Sequence, residues 1–336
     1  MSLRSYFSAA FEWRGTSGRG ELAAAIVILG GALLAAKTLP ELSLERGVIY
    51  LGAALALLCL FGVMRRRLRT IGGSGYWMWV LLVTPLWLPF VLVLLLRKAA
   101  PRPRADHSPA LALVPGLLLA LLLASRMVWA PYWVPSGSMK PTLLVGDYLM
   151  VRPLSQVPAR GDVLVYRRAT GGQAYLGRLI GLPGDQVQMV GGQIHLNGAP
   201  VPQTATDPFV EAMESQGPNG TVPRCANGPV GFGADCRKER LTETLPEGRA
   251  YDVLNIEDGQ MDNTGIFTVP DGHAFFLGDN RDNSLDSRIA LAVGGSGMVP
   301  LETLVGRVSH VLVSEPRGAY WAVSNWRWGR IFKEIK

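Results

Sequence analysis

At 336 residues, 49% of them apolar and 18% charged, the chain has room for one large or two ordinary domains and is neither disordered nor collagen-like. Three cysteines are too few for a disulfide scaffold. The net charge of +7 and pI near 9.5 invite a nucleic-acid partner, but residues 1–134 carry +9 and the remaining 202 carry −2. No basic stripe interleaved with aromatics follows residue 134, which argues against nucleic acid.

Residues 1–20 lack the apolar core of a secretory signal, so the N-terminal region is expected to be retained. Apolar runs follow at 22–36, 47–64, 76–96 and 109–125, the last continuing to 133. Lys and Arg confined to short links between such runs mark an integral membrane protein whose basic links stay inside. The clusters at 65–69 and 97–104 should then share a side, but one span over 76–96 would separate them. Pro85 and Pro89 split that run into halves of about 9 or 10 residues, roughly 14 Å of helix each. The expectation is a multi-pass module with its N-terminus inside, spans at 22–37 and 47–64, a re-entrant hairpin at 76–96 and a last span at 109–130. Four plain spans are the alternative. The stretch 65–79, with Arg-Arg-Leu-Arg followed by Gly-Gly-Ser-Gly-Tyr-Trp, resembles a widespread family of small bacterial inner-membrane proteins of unknown function.

After Trp133 the pattern changes to short alternating runs punctuated by Gly and Pro, which predicts antiparallel β-structure. Strands are expected at 148–151, 162–167, 174–180, 186–190, 193–196, 273–277 and 304–313, with Gly191-Gly192 as a two-residue hairpin turn. Residues 198–262, rich in Pro, Gly and Asn, read as an inserted subdomain or a long excursion. Its Cys225 and Cys236 can pair outside the cytoplasm and would then contribute about 2 to 3 kcal/mol. Cys59, in an apolar run, reads as an inert thiol. The expected division is a membrane module at 1–104, a last span with an aromatic interface anchor at 105–133, and a β-rich domain at 134–336. No metal is expected, since the two later cysteines are not spaced with histidines, and no cofactor, since Gly-Leu-Pro-Gly-Asp lies between strands rather than opening a helix.

The chemistry centres on Pro135-Ser136-Gly137-Ser138-Met139-Lys140-Pro141-Thr142-Leu143. A serine becomes a nucleophile when a base takes its proton, and a turn of small residues can present N–H groups to an oxyanion. Trp129, Tyr132 and Trp133 read as an interface anchor, and Ser138 lies five residues beyond, at most about 17 Å of extended chain. A nucleophile there reaches only bonds near the membrane surface.

With Gly146-Asp147, Arg178-Leu179-Ile180-Gly181-Leu182-Pro183-Gly184-Asp185, Gly278-Asp279-Asn280-Arg281-Asp282-Asn283-Ser284-Leu285-Asp286-Ser287-Arg288, Val299-Pro300 and Leu304-Val305-Gly306-Arg307, the serine turn resembles the bacterial type I signal peptidases over roughly residues 110–336. The resemblance implies an α-helical membrane region followed by an all-β periplasmic protease domain. It would sit on the bacterial inner membrane and remove signal peptides from exported preproteins by a Ser/Lys dyad. It makes Ser138 the nucleophile, and it forms the oxyanion hole from the Ser138 N–H and the Ser136 hydroxyl. Ser284 would orient the base, and Arg178, Asp279, Arg281, Asp286 and Arg288 would be ion pairs nearby. The family's base lysine falls where this sequence reads Tyr175-Leu176-Gly177-Arg178, so Gly177 stands in its place. Arg178 cannot substitute, because a guanidinium keeps its proton. Lys140 is the nearest titratable group in sequence, but a turn lysine there is expected to be solvated. His195, His273 and His310 fall in ordinary strands. Two functions follow: a signal-peptide-cleaving serine endopeptidase with an unconventional base, or a catalytically silent relative that binds exported segments as a chaperone or assembly factor.

Overall fold

The computed structural model describes residues 16–335 apart from 41, 83–85, 102–108, 155, 169–172, 218 and 320–321. Pro85, Arg102 and Arg104 of the sequence argument therefore lie outside the described residues. Contacts divide the chain into two compact units, Met1–Trp129 and Ala130–Lys336.

The first unit is helical. Helix α1, Arg19–Thr38, has Glu21 in its first turn and Lys37 in its last, both favourable to the helix dipole, and Leu39 ahead of Pro40 turns extended to end it. Helix α2, Leu44–Thr70, begins at Ser43, whose hydroxyl accepts the Arg46 N–H. These two are the helices long and apolar enough to cross a membrane among the described residues. The expected span 47–64 is extended because the helix runs on through Arg65–Arg69, about 40 Å in all. Arginine is a good helix former, so charge ends the apolar stretch but not the helix.

The run at 76–96 is broken, as its prolines require. A 3-10 segment, Gly75–Leu82, precedes helix α3, Trp87–Leu96, with Pro89 in its first turn where no N–H is needed. The run leaves from the C-terminal end of α2 and returns to it. Arg67 donates from Nε to Leu94 O at 2.9 Å and from Nη2 to Arg97 O at 2.6 Å, and Arg19 Nη2 donates to Leu96 O at 2.8 Å. Ala100 N reaches Thr70 O at 2.8 Å. Within this unit the start of α1, the end of α2 and the end of α3 thus meet at one end, so Arg65–Arg69 and Arg97 lie together. Helix α4, Pro109–Ala124, packs on α2 so closely that a Cβ on Gly116 would strike Phe61, and the chain ends this unit near the start of α2, where Met127 lies against Gly47.

The helix expected to run to 130 stops earlier. After α4 and a 3-10 turn, Ser125–Met127, residues Ala130–Trp133 form strand β1, paired antiparallel with β2, Asp147–Arg152. Pro131, lacking an N–H, is tolerated because β1 is the sheet edge. Tyr132 and Trp133 are therefore sheet residues rather than the tail of a helix.

The second unit is all β and antiparallel. The remaining strands are β3 Val163–Arg167, β4 Ala174–Gly181, β5 Gln186–Val190, β6 Gln193–Leu196, β7 Ala199–Pro200, β8 Gln203–Ala212, β9 Asp235–Thr244, β10 Ala250–Asn255, β11 Phe267–Thr268, β12 His273–Leu277, β13 Val299–Pro300 and β14 Leu304–Ser314. The seven strands read from the sequence are all present within one residue at either end. Gly191 and Gly192, with φ of 54° and 76°, make the turn between β5 and β6.

A seven-stranded sheet runs β1-β2-β14-β3-β4-β12-β13, a four-stranded sheet β11-β5-β6-β7 and a three-stranded sheet β10-β9-β8. Strand β12 is buried on both faces: Phe275 and Leu277 join a core with Ile180, Val187, Ile194 and Val253, while Ala274 and Phe276 join one with Leu164, Tyr166 and Leu179. The excursion at 198–262 is not a separate subdomain, since Leu245, Tyr251 and Val253 belong to the first of these cores. Cys225 and Cys236 are joined as a disulfide.

Candidate active site

Ser138 lies in a turn anchored from below by buried Val134, Met139, Leu143 and Val145. The turn closes on itself through Lys140 N to Gly137 O at 3.2 Å and Leu143 N to Met139 O at 2.9 Å. The loop after β12 holds it from the side. Asn280 donates its backbone N–H to Ser138 O and its Nδ2 to Gly137 O, both at 2.9 Å. Ser138 Oγ and Ser136 Oγ are 3.2 Å apart, and among the described residues the Ser138 N–H has no acceptor. A half-buried hydroxyl beside a second hydroxyl and a free backbone donor is suited to acyl transfer.

Beneath the turn lies a buried ionic frame. Arg178, 1% exposed, clasps Asp279 with Nε and Nη2, both at 2.7 Å, and stacks 4.1 Å over the Tyr251 ring. Thr142 Oγ1 donates to the same Asp279 at 2.5 Å, which ties the serine turn to the frame. Arg288 holds Asp286 at 2.9 and 2.8 Å, and Asp286 accepts the Gly278 N–H. Arg281 pairs with Glu243 of β9 at 2.8 and 2.5 Å, a partner that sequence reasoning missed because Glu243 lies in the excursion. Burial alone would raise the Glu243 carboxyl, but Arg281 outweighs it and holds the group below the usual glutamate range.

Gly177 of β4 lies opposite Leu164 of β3, and its neighbour Arg178 opposite Leu277 of β12. Continuing that antiparallel register by one residue sets Gly278 opposite Gly177, and opposed residues share a face. A Cβ on Gly278 would collide with Ser284 Oγ and come within 2.8 Å of Ser138 O. A side chain at 177 would therefore rise beside both serines, although residue 177 itself offers no group. Its Cα is roofed by aromatics: a Cβ there would stand 3.1 Å from Phe276 Cβ and 3.3 Å from Tyr166 Cε1. Tyr166, its hydroxyl 2.6 Å from Ser296 Oγ, has a pKa pushed up to about 12 by burial.

The family described as "Signal peptidase, peptidase S26" matches residues 108–313. The chain belongs to this signal peptidase family. Its members are serine peptidases, hence hydrolases. Among similar curated proteins, signal peptidase I of Rickettsia typhi (strain ATCC VR-144 / Wilmington) is 31% identical over 225 residues, 57% of this chain and 75% of that one. Signal peptidase I of Rickettsia canadensis (strain McKiel) is 30% identical with the same coverage. A crystal structure of a signal peptidase I from Enterococcus faecalis V583 is 24% identical and covers 45% of this chain and 97% of that one, with a TM-score of 0.24, too low to carry an argument.

Within this signal peptidase fold the expected solvated lysine is not found. Lys140 is 3% exposed, and its Nζ donates to Glu211 Oε2 at 2.6 Å and Gln216 Oε1 at 2.8 Å. Lys238, 1% exposed, pairs with the other oxygen of Glu211. No sequence signal marked Glu211, Gln216 or Lys238, all in the excursion. His195, His273 and His310 lie in β6, β12 and β14, and among the described residues no amine or imidazole hydrogen-bonds Ser138 Oγ.

Proposed function

We propose that the protein is a membrane-bound serine endopeptidase that cleaves signal peptides from exported preproteins at the outer face of the bacterial inner membrane. The observation that carries this reading is the gathering of Ser138, Ser136 and a free Ser138 N–H in one turn, with Ser284 beside it at Gly278. Ser138 Oγ attacks the scissile carbonyl, and the Ser138 N–H and Ser136 hydroxyl receive the oxyanion. Arg178, Asp279, Arg281, Asp286 and Arg288 fix the turn and the loop that carries Ser284.

The setting follows from charge. With Arg65–Arg69 and Arg97 at one end of the helical unit, that end faces the cytoplasm, and the run at 75–96 enters and leaves on that side. The chain then crosses in α4, which leaves the β-domain in the periplasm, an oxidising compartment that suits the Cys225–Cys236 disulfide. The bilayer and signal-peptide-bearing preproteins are the partners.

The absence of a base at Gly177 favours a second reading, in which the same site binds exported segments without cutting them, as a chaperone or assembly factor. Incubating a preprotein with the wild type, Ser138→Ala and Gly177→Lys separates the two. Cleavage by the wild type that Ser138→Ala abolishes establishes the peptidase. No wild-type product, with cleavage gained by Gly177→Lys, overturns the peptidase reading.

A further inference from the structure

A replacement for the missing base must lie close to Ser138 in space and be able to shed its proton, which burial favours for an amine. Lys140 belongs to the same turn, and its stem doubles back over Gly137, the residue between the two serines. Its Cε lies 3.2 Å from where a Cβ on Gly137 would stand, so the stem runs in close contact with this residue. The amine is shared ground: Lys140 and Lys238 both pair with the single carboxylate of Glu211, and Arg327 adds a further positive charge nearby. A buried cluster with more cations than carboxylates relieves itself by losing a proton. Burial indeed pushes the Lys140 amine below the ordinary lysine range, against the opposing pull of Glu211. A neutral lysine has two N–H bonds and one lone pair. Glu211 and Gln216 satisfy the two N–H bonds, which leaves the lone pair unassigned.

We propose that Lys140 is the general base for Ser138, with Glu211 and Gln216 as positioning residues that orient its amine. The proposal rests on the peptidase reading of Ser138. The Lys140 lone pair takes the Ser138 hydroxyl proton as Oγ bonds to the scissile carbon and the carbonyl pair moves onto oxygen. Collapse breaks the C–N bond, and the Lys140 ammonium gives its proton to the departing amine. Water then attacks the acyl ester, Lys140 takes that proton, and Ser138 Oγ receives it on leaving, so one water is consumed per bond cut. In the free site Ser138 Oγ faces Ser136 and Nζ faces Glu211, so the proposal requires the Ser138–Lys140 hydrogen bond to form when substrate binds.

The test uses the full chain in detergent micelles with a fluorogenic peptide bearing an Ala-x-Ala cleavage site. Lys140→Met is expected to lower kcat by about 10²- to 10⁴-fold with KM little changed. Lys140→Arg, which keeps the charge but not the proton exchange, is expected not to restore it. The acid limb of the pH–rate profile should move up in Lys238→Met, which removes a competing cation, and down in Glu211→Gln, which removes the attracting carboxylate. Full activity of Lys140→Arg, or an acid limb unmoved in both neighbours' variants, overturns the proposal. Loss of the peptidase reading looks different, since the wild type would then cut no better than Ser138→Ala. In that event the proposal falls with that reading; where the wild type does cut, a ¹⁵N titration midpoint of the Lys140 amine, assigned with Lys140→Arg, above about 10, the ordinary lysine value, also overturns the proposal.

Discussion

Gly177 allows packing and chemistry to be tested separately at one position. A Cβ there meets Phe276 Cβ at 3.1 Å and Tyr166 Cε1 at 3.3 Å, and neither ring is free to retreat. Their centroids stack 4.7 Å apart, and the Tyr166 hydroxyl is tied to Ser296. Overpacking of this kind costs about 1 to 3 kcal/mol, and replacing glycine returns about 0.4 to 1 kcal/mol through the unfolded chain. Gly177→Ala should therefore destabilise the β-domain by about 0.5 to 2 kcal/mol, read from urea unfolding of the full chain. Gly177→Lys should bear the same packing penalty and place an amine on the face of Ser284 and Ser138. Introduced into Lys140→Met, it should restore cleavage by about 10²-fold or more over the single variant. An alanine that leaves the urea midpoint unchanged or raises it refutes the packing argument. A folded double variant as slow as Lys140→Met refutes the register argument that sets residue 177 beside the serines.

Three further outcomes are expected. Glu243→Ala leaves buried Arg281 without its carboxylate and should cost about 3 to 5 kcal/mol in urea unfolding. Because the folded Glu243 carboxyl lies below its ordinary value of 4.5, its contribution is present above that pH and is lost as pH falls beneath it, and Glu243→Gln should flatten this acid limb. Replacing Cys225 and Cys236 by serine should lower stability by about 2 to 3 kcal/mol, and a reductant should then have no added effect on the urea midpoint. Single cysteines placed at 39–43 should react with a membrane-impermeant maleimide added outside the cell, while those at 71–74 and 98–101 should not; labelling of either inner stretch contradicts the re-entrant arrangement.

The strands that could be read in advance are those whose buried side is apolar. Strand β4, with Leu179 and Ile180, and strand β12, a continuous apolar run, announce themselves by composition. Strand β9 does not, because the residues it buries are Cys236, Lys238 and Glu243, and alternation of polar with polar carries no hydrophobic period. The same blindness applies to the site. Ser136, Ser138 and Ser284 fall in recognisable motifs, and Arg178, Asp279, Asp286 and Arg288 pair among themselves within those motifs. Glu243 pairs with Arg281, and Glu211 with Lys140 and Lys238, only across long stretches of chain. Their charges look like a solvated surface until the fold removes them from water. Lys140 reads as a solvated turn residue for that reason: the carboxylate that its amine meets, Glu211, lies 71 residues later.

The serine turn also has a consequence for timing. Its two carbonyls at 137 and 138 are held by Asn280, more than 140 residues further along. Thr142 waits on Asp279 in the same way. A chain made from its N-terminus, and folding as it emerges, has Ser138 in hand long before the loop that shapes it. Until residue 280 arrives the turn lacks the two hydrogen bonds that hold its carbonyls, so a Ser138 acting as the proposed nucleophile would be held in place only once the loop after β12 has folded. Shaping of the turn is thereby tied to the synthesis of a loop more than 140 residues further along.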